Sequence, residues 1–91
     1  MKKSIHDERY RLLILRLIEL RKQLQITQVA LAAALDRPQS FVAKVENFER
    51  RLDLVELADW LTAMKADPQK FLASLDWFAE TALAPTKSGP T

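Results

Sequence analysis

The stretch TQVALAAALDRPQSFVAKVENFERR, residues 27–51, sets two short apolar-periodic segments on either side of a central "DRP". Thr27 is a favourable N-cap for a helix that continues through Leu35. Pro38 disfavours the helical conformation in the residue before it but is tolerated in the first turn of a helix, so a second helix is expected from Pro38 to Asn47. The stretch therefore predicts two helices joined by a sharp corner.

The second of these helices has two chemically different sides. A rotation of about 100° per residue places Phe41, Val42 and Val45 on one side. The other side is small or polar and carries no carboxylate: Gln39, Ser40, Ala43, Lys44 and Asn47. Amides, a hydroxyl and a cation on a slim helix suit the major groove of DNA, because base edges present donor and acceptor pairs and phosphates repel carboxylates. The corner would then hold one helix across the DNA backbone while the next presents these side chains to bases.

Helix 1 is expected to precede this pair, over residues 6–24. Its core side is predicted from apolar residues at steps of three and four: Tyr10, Leu13, Leu17, Leu20 and Leu24. Four further apolar residues widen this stripe beyond one core-facing side: Leu12, Ile14, Leu15 and Ile18. They are expected to meet the C-terminal helix or a second subunit.

Two more helices are expected after the pair. Asp53 and Glu56 resemble a capping box that opens helix 4. The apolar positions of helix 4 fall at helical spacing: Leu54, Leu57, Ala58, Leu61 and Met64. Asp67 and Pro68 open helix 5, expected to reach residue 80 with Phe71, Leu72, Leu75 and Phe78. Residues 81–91 lack apolar periodicity and are predicted to be a disordered tail.

Composition favours one small all-α domain, over residues 1–80. The 91 residues are 48% hydrophobic and 29% charged, with one Gly and four Pro, so the turn-rich composition of an all-β fold is missing. With no Cys and a single His, neither a disulfide framework nor a metal or cofactor site is expected. Charged residues interrupt the apolar run of helix 1, so no membrane span or secretion signal is expected and a cytoplasmic location is predicted.

Charge is unevenly distributed along the chain. Residues 1–52 hold 11 basic and 6 acidic residues, whereas residues 53–91 hold 3 basic and 6 acidic residues. This asymmetry predicts a basic face for a polyanion and a different role for the C-terminal half. Catalysis is not expected, because the acidic side chains of the second half are better explained as helix caps and a solvated face, with no accompanying nucleophile or Gly-rich phosphate loop.

Residues 20–66 resemble the helix-turn-helix family of phage Cro-type and C-type repressors, the XRE family. The resemblance lies in LRKQLQITQVALAAALDRPQSFVAKVENFERR and the following LDLVELADWLTAM, about half of the chain. It implies a five-helix, lambda-repressor-like domain that binds operator DNA as a dimer. A transcriptional repressor that binds a near-palindromic site as a homodimer is therefore the favoured function.

The resemblance also implies roles for single residues. Gln39, Ser40 and Lys44 would contact bases. Five residues around the helix pair would contact the DNA backbone: Gln28, Arg37, Asn47, Arg50 and Arg51. Gln28 would also brace Gln39. Arg21 and Glu46 match a pair that ties helix 1 to the recognition helix in this family.

Three positions depart from the family pattern. Asp36 and Phe48 replace glycines that commonly follow helices 2 and 3. Asp tolerates the left-handed backbone conformation, and Asn47 is expected to absorb the second turn. Phe41 stands where a small or hydroxylic residue is usual, and two places are open for its ring: half-buried in the core, or against a thymine methyl group.

A dimer interface is predicted from apolar surface that exceeds what so small a domain can bury: Leu12, Leu15, Phe71, Trp77 and Phe78. The rival function is an antitoxin-like or adaptor module that keeps the same fold and binds another protein through its apolar C-terminal helix. The charge asymmetry fits both functions. A sequence preference in DNA binding is the property that separates them.

Overall fold

Five helices follow one another within residues 7–77, the part of the chain that the computed structural model describes. They are α1 (Glu8–Gln23), α2 (Gln28–Leu35), α3 (Gln39–Glu46), α4 (Leu54–Ala63) and α5 (Pro68–Ala73). The predicted all-α, helix-turn-helix fold is confirmed, the expected bounds of the first three helices agree to within two residues, and α4 begins directly after the predicted Asp53 cap. α2 and α3 form the helix-turn-helix pair; α1 packs against α3, and α4 packs against α2 and α5. None of these five helices combines the length and apolar character needed to cross a bilayer.

Side-chain caps fix where the helices begin. The Thr27 hydroxyl accepts the Ala30 N–H at 3.0 Å, which opens α2. Asp53 and Glu56 form the predicted capping box: Asp53 Oδ1 accepts the Glu56 N–H at 2.7 Å, and Glu56 Oε1 accepts the Asp53 N–H at 3.1 Å. Asp67 caps α5 in a similar way. These bonds satisfy N–H groups that a helix start leaves without intrahelical partners.

Left-handed residues end four of the described helices, and none of them is glycine: Gln25, Asp36, Phe48 and Lys65. Asp36 takes this conformation as predicted. The expectation that Asn47 absorbs the turn after α3 is wrong, because Asn47 has a φ of −92° and Phe48 has a φ of 62°. Asn47 still donates its N–H to a helical acceptor, the Ala43 carbonyl, so the reversal falls one residue later.

The core is centred on Trp60 of α4, which is completely buried. Phe41, Val42 and Val45 of α3 are buried beside it, on the side of the helix that the sequence predicts. The first turn of α4 differs from the prediction, because Leu54 is 78% exposed and Ala58 is exposed as well. Leu52, just before the helix, takes the place in the core that was expected for Leu54, and the Leu54 side chain is exposed.

The core side of α1 is also shifted from the predicted stripe. Ile14, expected among the surplus residues, is completely buried between Tyr10 and Leu17. Leu24, expected on the core side, is 45% exposed. Ile14 lies four residues after Tyr10 and three before Leu17, which places all three on one side of the helix. Leu24 follows the last residue of α1, where the chain turns through Gln25 and leaves the core.

α5 is shorter than predicted, since it ends at Ala73 rather than near residue 80. The Ser74 hydroxyl donates to the Phe71 carbonyl at 2.5 Å and so competes for a helical acceptor. Phe71, expected at a dimer interface, is instead 6% exposed and belongs to the core, which leaves it little surface for a second subunit. Helical conformation resumes at Asp76 and Trp77. Phe78 and the predicted tail lie outside the described residues.

Candidate nucleic-acid interface

The outer side of α3 is exposed and polar, as the sequence predicts. Gln39, Ser40, Lys44 and the C-cap residue Asn47 are exposed, and Ala43 between them is half-buried. The one carboxylate of this helix, on Glu46, is buried. The exposed side of α3 is therefore narrow, uncharged or cationic, and free of acidic groups, which is the chemistry that a major groove accepts.

The buried Glu46 carboxylate is bound on both oxygens by Arg21 of α1. Arg21 Nε donates to Oε2 at 2.7 Å, and Nη2 donates to Oε1 at 3.0 Å. The third nitrogen, Nη1, donates to the Ile26 carbonyl at 2.8 Å in the turn after α1. The two side chains are only 9% and 5% exposed. The two-pronged geometry and the extra acceptor offset much of the cost of burying both charges, and they tie α1 to the end of α3.

The same carboxylate connects to the exposed side of α3 through Gln28. Gln28 Nε2 donates to Glu46 Oε1 at 2.9 Å, and Gln28 Oε1 accepts from Gln39 Nε2 at 3.5 Å, a long bond. The structure thus brings together four residues that the sequence singled out. We call Arg21, Glu46 and Gln28 the buried anchor. At its outer end Gln28 contacts the exposed Gln39 amide.

Phe41 lies in the core, which decides between the two places left open for its ring. It is 8% exposed, and its ring packs against that of Trp60 with centroids 5.9 Å apart and planes at 60°. Two guanidinium groups cover it from the solvent side: the carbon at the centre of the Arg37 group lies 3.8 Å from the ring centroid, and that of Arg50 lies 4.8 Å away. Both arginines lie within the range of a cation–π interaction.

Glu56 completes this cluster, although the sequence identified it only as part of a capping box. Its Oε1 accepts from Arg50 Nη1 at 2.6 Å, and its Oε2 lies 3.9 Å from Arg37 Nη1. The hydrogen bond from Arg50 lowers the pKa of Glu56, and the same bond raises the pKa of Arg50. We call Arg37, Phe41, Arg50 and Glu56 the arginine clamp. It joins the connections before and after α3. No sequence motif indicates it, because its residues come together only in the folded chain.

The Arg51 side chain lies near Tyr10 in the first turn of α1, while its carbonyl accepts from Arg50 Nη1 at 2.6 Å. Its guanidinium carbon lies 4.7 Å from the centroid of the Tyr10 ring. The Tyr10 hydroxyl accepts the Leu52 N–H at 3.0 Å, and burial raises the pKa of Tyr10. The two adjacent arginines after α3 are therefore held by different aromatic rings on different helices.

Three of the five residues predicted at a dimer interface lie together. Leu12, Leu15 and Trp77 line a shallow groove of about 430 Å³ along the first half of α1. Leu15 is 49% exposed there. A second apolar surface was not predicted: Leu54 and Val55, in the first turn of α4, are 78% and 70% exposed. The sequence signal for it is their position directly after the Asp53 cap, one turn before the buried part of α4.

No group of three or more His, Asp or Glu side chains within residues 7–77 is arranged to hold a metal ion. The polar clusters of this part of the chain are instead built from arginine, glutamine and single carboxylates. Such groups bind anions and base edges.

Two short helices meet at a left-handed corner, and the second presents an exposed polar side; this combination defines a helix-turn-helix domain. No protein-family model and no curated protein matches the sequence. A solved structure does: an XRE-family like protein from Pseudomonas syringae pv. tomato str. DC3000. The two chains are 49% identical and superpose with a TM-score of 0.74, over 79% of this chain and 88% of that one. The chain belongs to the XRE-like family.

Proposed function

We propose that this protein is a sequence-specific regulator of transcription that binds double-stranded DNA, acting as a repressor on a near-palindromic operator. The buried anchor is the observation that carries this proposal. The Arg21–Glu46 pair extends through Gln28 to an exposed amide on α3, so hydrogen bonds connect the interior of the domain to a side chain proposed to meet a base. The chain of hydrogen bonds ends on Gln39 through a long, exposed contact that favours one orientation of the amide before it meets a ligand, which supports direct recognition of a base edge.

The proposed division of labour follows from exposure and chemistry. Gln39, Ser40 and Lys44 contact bases from the exposed side of α3, because amide, hydroxyl and ammonium groups match base edges in the major groove. Residues at its border contact the sugar-phosphate backbone: Gln28, Arg37, Asn47, Arg50 and Arg51. Backbone contacts fix the register of the helix on the duplex, and base contacts carry sequence preference. No enzymatic step is part of this proposed function, and its proposed site is the cytoplasm.

The regulator acts as a homodimer through the groove on α1. Leu12, Leu15 and Trp77 supply its apolar surface, and Phe78, outside the described residues, extends the same segment of chain. Two-fold symmetry would place the two α3 helices about 34 to 36 Å apart, one turn of DNA. Sedimentation of a Leu15→Glu variant tests this, with Leu54→Glu, on the other exposed apolar surface, as the matched control.

We expect a dimer for wild type and Leu54→Glu at micromolar concentration and a monomer for Leu15→Glu. Wild type that stays monomeric with and without DNA would contradict the homodimer. Dissociation of the Leu54→Glu variant alone would move the interface to the start of α4.

A second function is favoured by one observation. Leu54 and Val55 are the most exposed large apolar side chains in the described part of the chain, and they follow Arg51 by three and four residues. Apolar side chains so exposed are typical of a surface that another protein covers. An antitoxin-like or adaptor protein of the same fold would use this surface for its partner.

Selection from random double-stranded DNA, followed by gel shifts at two salt concentrations, separates the two functions. A regulator should enrich a near-palindromic site and bind it at least about 1,000-fold more tightly than scrambled DNA. An adaptor should enrich no sequence and lose its DNA binding as salt rises, because only phosphate contacts would remain.

A further inference from the structure

The Phe41 ring serves the core and the surface at once. It packs against the buried Trp60, and it also lies 3.8 and 4.8 Å from the guanidinium carbons of Arg37 and Arg50, whose side chains are partly exposed. We propose that Phe41 is a positioning residue for DNA binding, whose ring holds these two arginines in one phosphate-binding clamp. This inference rests on the proposed function, because it assigns a role within the same DNA-binding surface.

The position of the three residues along the chain gives the clamp its purpose. Arg37 precedes α3, Arg50 follows it, and Phe41 lies within its first turn. One ring therefore couples the two connections that flank the recognition helix. Phosphate contacts made from both connections would set how deeply and at what angle α3 enters the groove.

Stacking on the ring leaves the N–H donors of Arg37 for a phosphate. A guanidinium that lies over an aromatic ring uses its flat face, and its N–H groups remain in the plane of the group. In Arg50, Nη1 already donates to the Arg51 carbonyl and to Glu56, both at 2.6 Å, so Nε and Nη2 are the nitrogens left for a phosphate. Both side chains stay accessible, at 41% exposure for Arg37 and 40% for Arg50. Side chains already restricted by the ring lose less rotamer freedom when DNA binds, so their phosphate contacts are stronger than those of mobile arginines.

Glu56 explains how two cations can share one ring. Its carboxylate accepts from Arg50 at 2.6 Å and lies 3.9 Å from Arg37, so it offsets their mutual repulsion. The separation from Arg37 is too long for a hydrogen bond, which leaves that group's donors for another acceptor. Two guanidinium groups and one carboxylate retain a net positive charge, and a phosphate group is the complement to it.

The test compares three variants on a selected duplex and a scrambled duplex of equal length. Phe41→Leu keeps an apolar side chain against Trp60 but removes the ring under the arginines. Phe41→Tyr restores the ring. Phe71→Leu is the matched control, because it removes an equally buried ring from α5 in the same core. Each variant is compared at a temperature where its melting curve shows it folded.

We expect Phe41→Leu to bind both duplexes about 5- to 30-fold more weakly, the loss of two cation–π contacts in each subunit. The slope of log affinity against log salt should fall by about one unit per subunit. Phe41→Tyr and Phe71→Leu should stay within about twofold of wild type. A folded Phe41→Leu variant with unchanged affinity and salt slope would overturn the inference, while wild type that still prefers the selected duplex would leave the proposed function standing.

A measurement on the wild-type protein covers the case in which Phe41→Leu does not fold. NMR order parameters of the arginine Nε–H groups report how restricted each guanidinium is before DNA is added. Arg37 and Arg50 should be clearly more ordered than Arg16, a partly exposed arginine on α1. Equal mobility for all three would overturn the inference whatever the DNA measurements show. If wild type prefers no duplex at all, the proposed function fails. Ordered Arg37 and Arg50 side chains would then belong to a structural cluster that does not serve DNA binding.

Discussion

Two charged clusters support α3 from opposite sides, and their chemistry differs. The buried anchor lies inside the domain, where its carboxylate is bound by two nitrogens of Arg21 and by Gln28. The arginine clamp lies at the surface, where its cations rest on a ring and share one carboxylate. A buried charge needs hydrogen-bond and ion-pair partners within the protein, because water does not solvate it. Water already solvates an exposed charge, so its protein contacts mainly restrict where the side chain lies.

This difference implies that the anchor mainly determines stability and the clamp mainly determines affinity. The largest expected effect is therefore on folding, from Glu46→Ala. Removing the carboxylate leaves the Arg21 guanidinium buried with one carbonyl acceptor, so the free energy of unfolding should fall by about 3 kcal/mol. Urea denaturation measures it. Arg9→Ala is the control, because Arg9 makes exposed contacts, an ion pair with Asp7 and a position 5.9 Å from the Trp77 ring, and its loss should lower the free energy of unfolding far less.

If Glu46→Ala and Arg9→Ala lowered stability equally, the buried position of the anchor would have no energetic consequence. The distinction drawn between the two clusters would then be lost.

The next effect is on DNA affinity, from Arg50→Ala in the clamp. All duplexes should bind about 3- to 10-fold more weakly, and the salt slope should fall by about one unit per subunit, because a phosphate contact is lost. The ratio of specific to scrambled affinity should hold. Lys70→Ala removes the same charge from α5 and should change neither quantity. A loss confined to the specific site would make Arg50 a base contact and would contradict its place in the clamp.

The smallest effect is on the pH dependence of stability. Arg50 lowers the pKa of Glu56 below its ordinary value of 4.5. A carboxyl group whose pKa is lower in the folded state contributes stability that is complete above pH 4.5 and is lost as pH falls through the lower, folded value. Glu56→Gln keeps an oxygen for the Asp53 N–H and cannot titrate. Its melting temperature should therefore fall less than that of wild type between pH 6 and pH 3.

If the melting temperatures of the two proteins fell equally between pH 6 and pH 3, the bond from Arg50 to the ionised Glu56 would contribute no measurable stability. Asp7 provides the comparison within the same chain, because hydrogen bonds from Arg9 lower its pKa in the same direction at an exposed helix cap. Asp7→Asn should flatten the acid side of the curve as well, independently of the clamp.

Local signals in the sequence were sufficient for the helices and for the exposed side of α3. Thr27, Pro38 and the Asp53 capping box act within one turn of chain, so their effect is visible without tertiary context. The alternation of Phe41, Val42 and Val45 with polar residues likewise fixes which side of α3 is buried. The partnership of Arg21 and Glu46 was available only from resemblance to a family, because 25 residues separate them.

Features that depend on tertiary packing could not be predicted in the same way. Ile14 and Leu24 both fit a helical period, and only the end of α1 at Gln23 decides that Leu24 leaves the core. Leu54 fits the period of α4, but Leu52 is buried ahead of it. The clamp depends on two connections that approach the same ring, and the local sequence of neither connection predicts that it lies near the other.

The proposal that α3 reads sequence is tested most directly by Gln39→Ala, which removes the exposed amide that the buried anchor contacts. Wild type and variant are titrated against a selected duplex and a scrambled one at two salt concentrations. The variant should bind the selected duplex about 5- to 100-fold more weakly and the scrambled duplex with almost unchanged affinity and salt slope, because only a base contact is lost. An unchanged ratio of specific to scrambled affinity would show that α3 is not the reading element and would favour the protein-binding function instead.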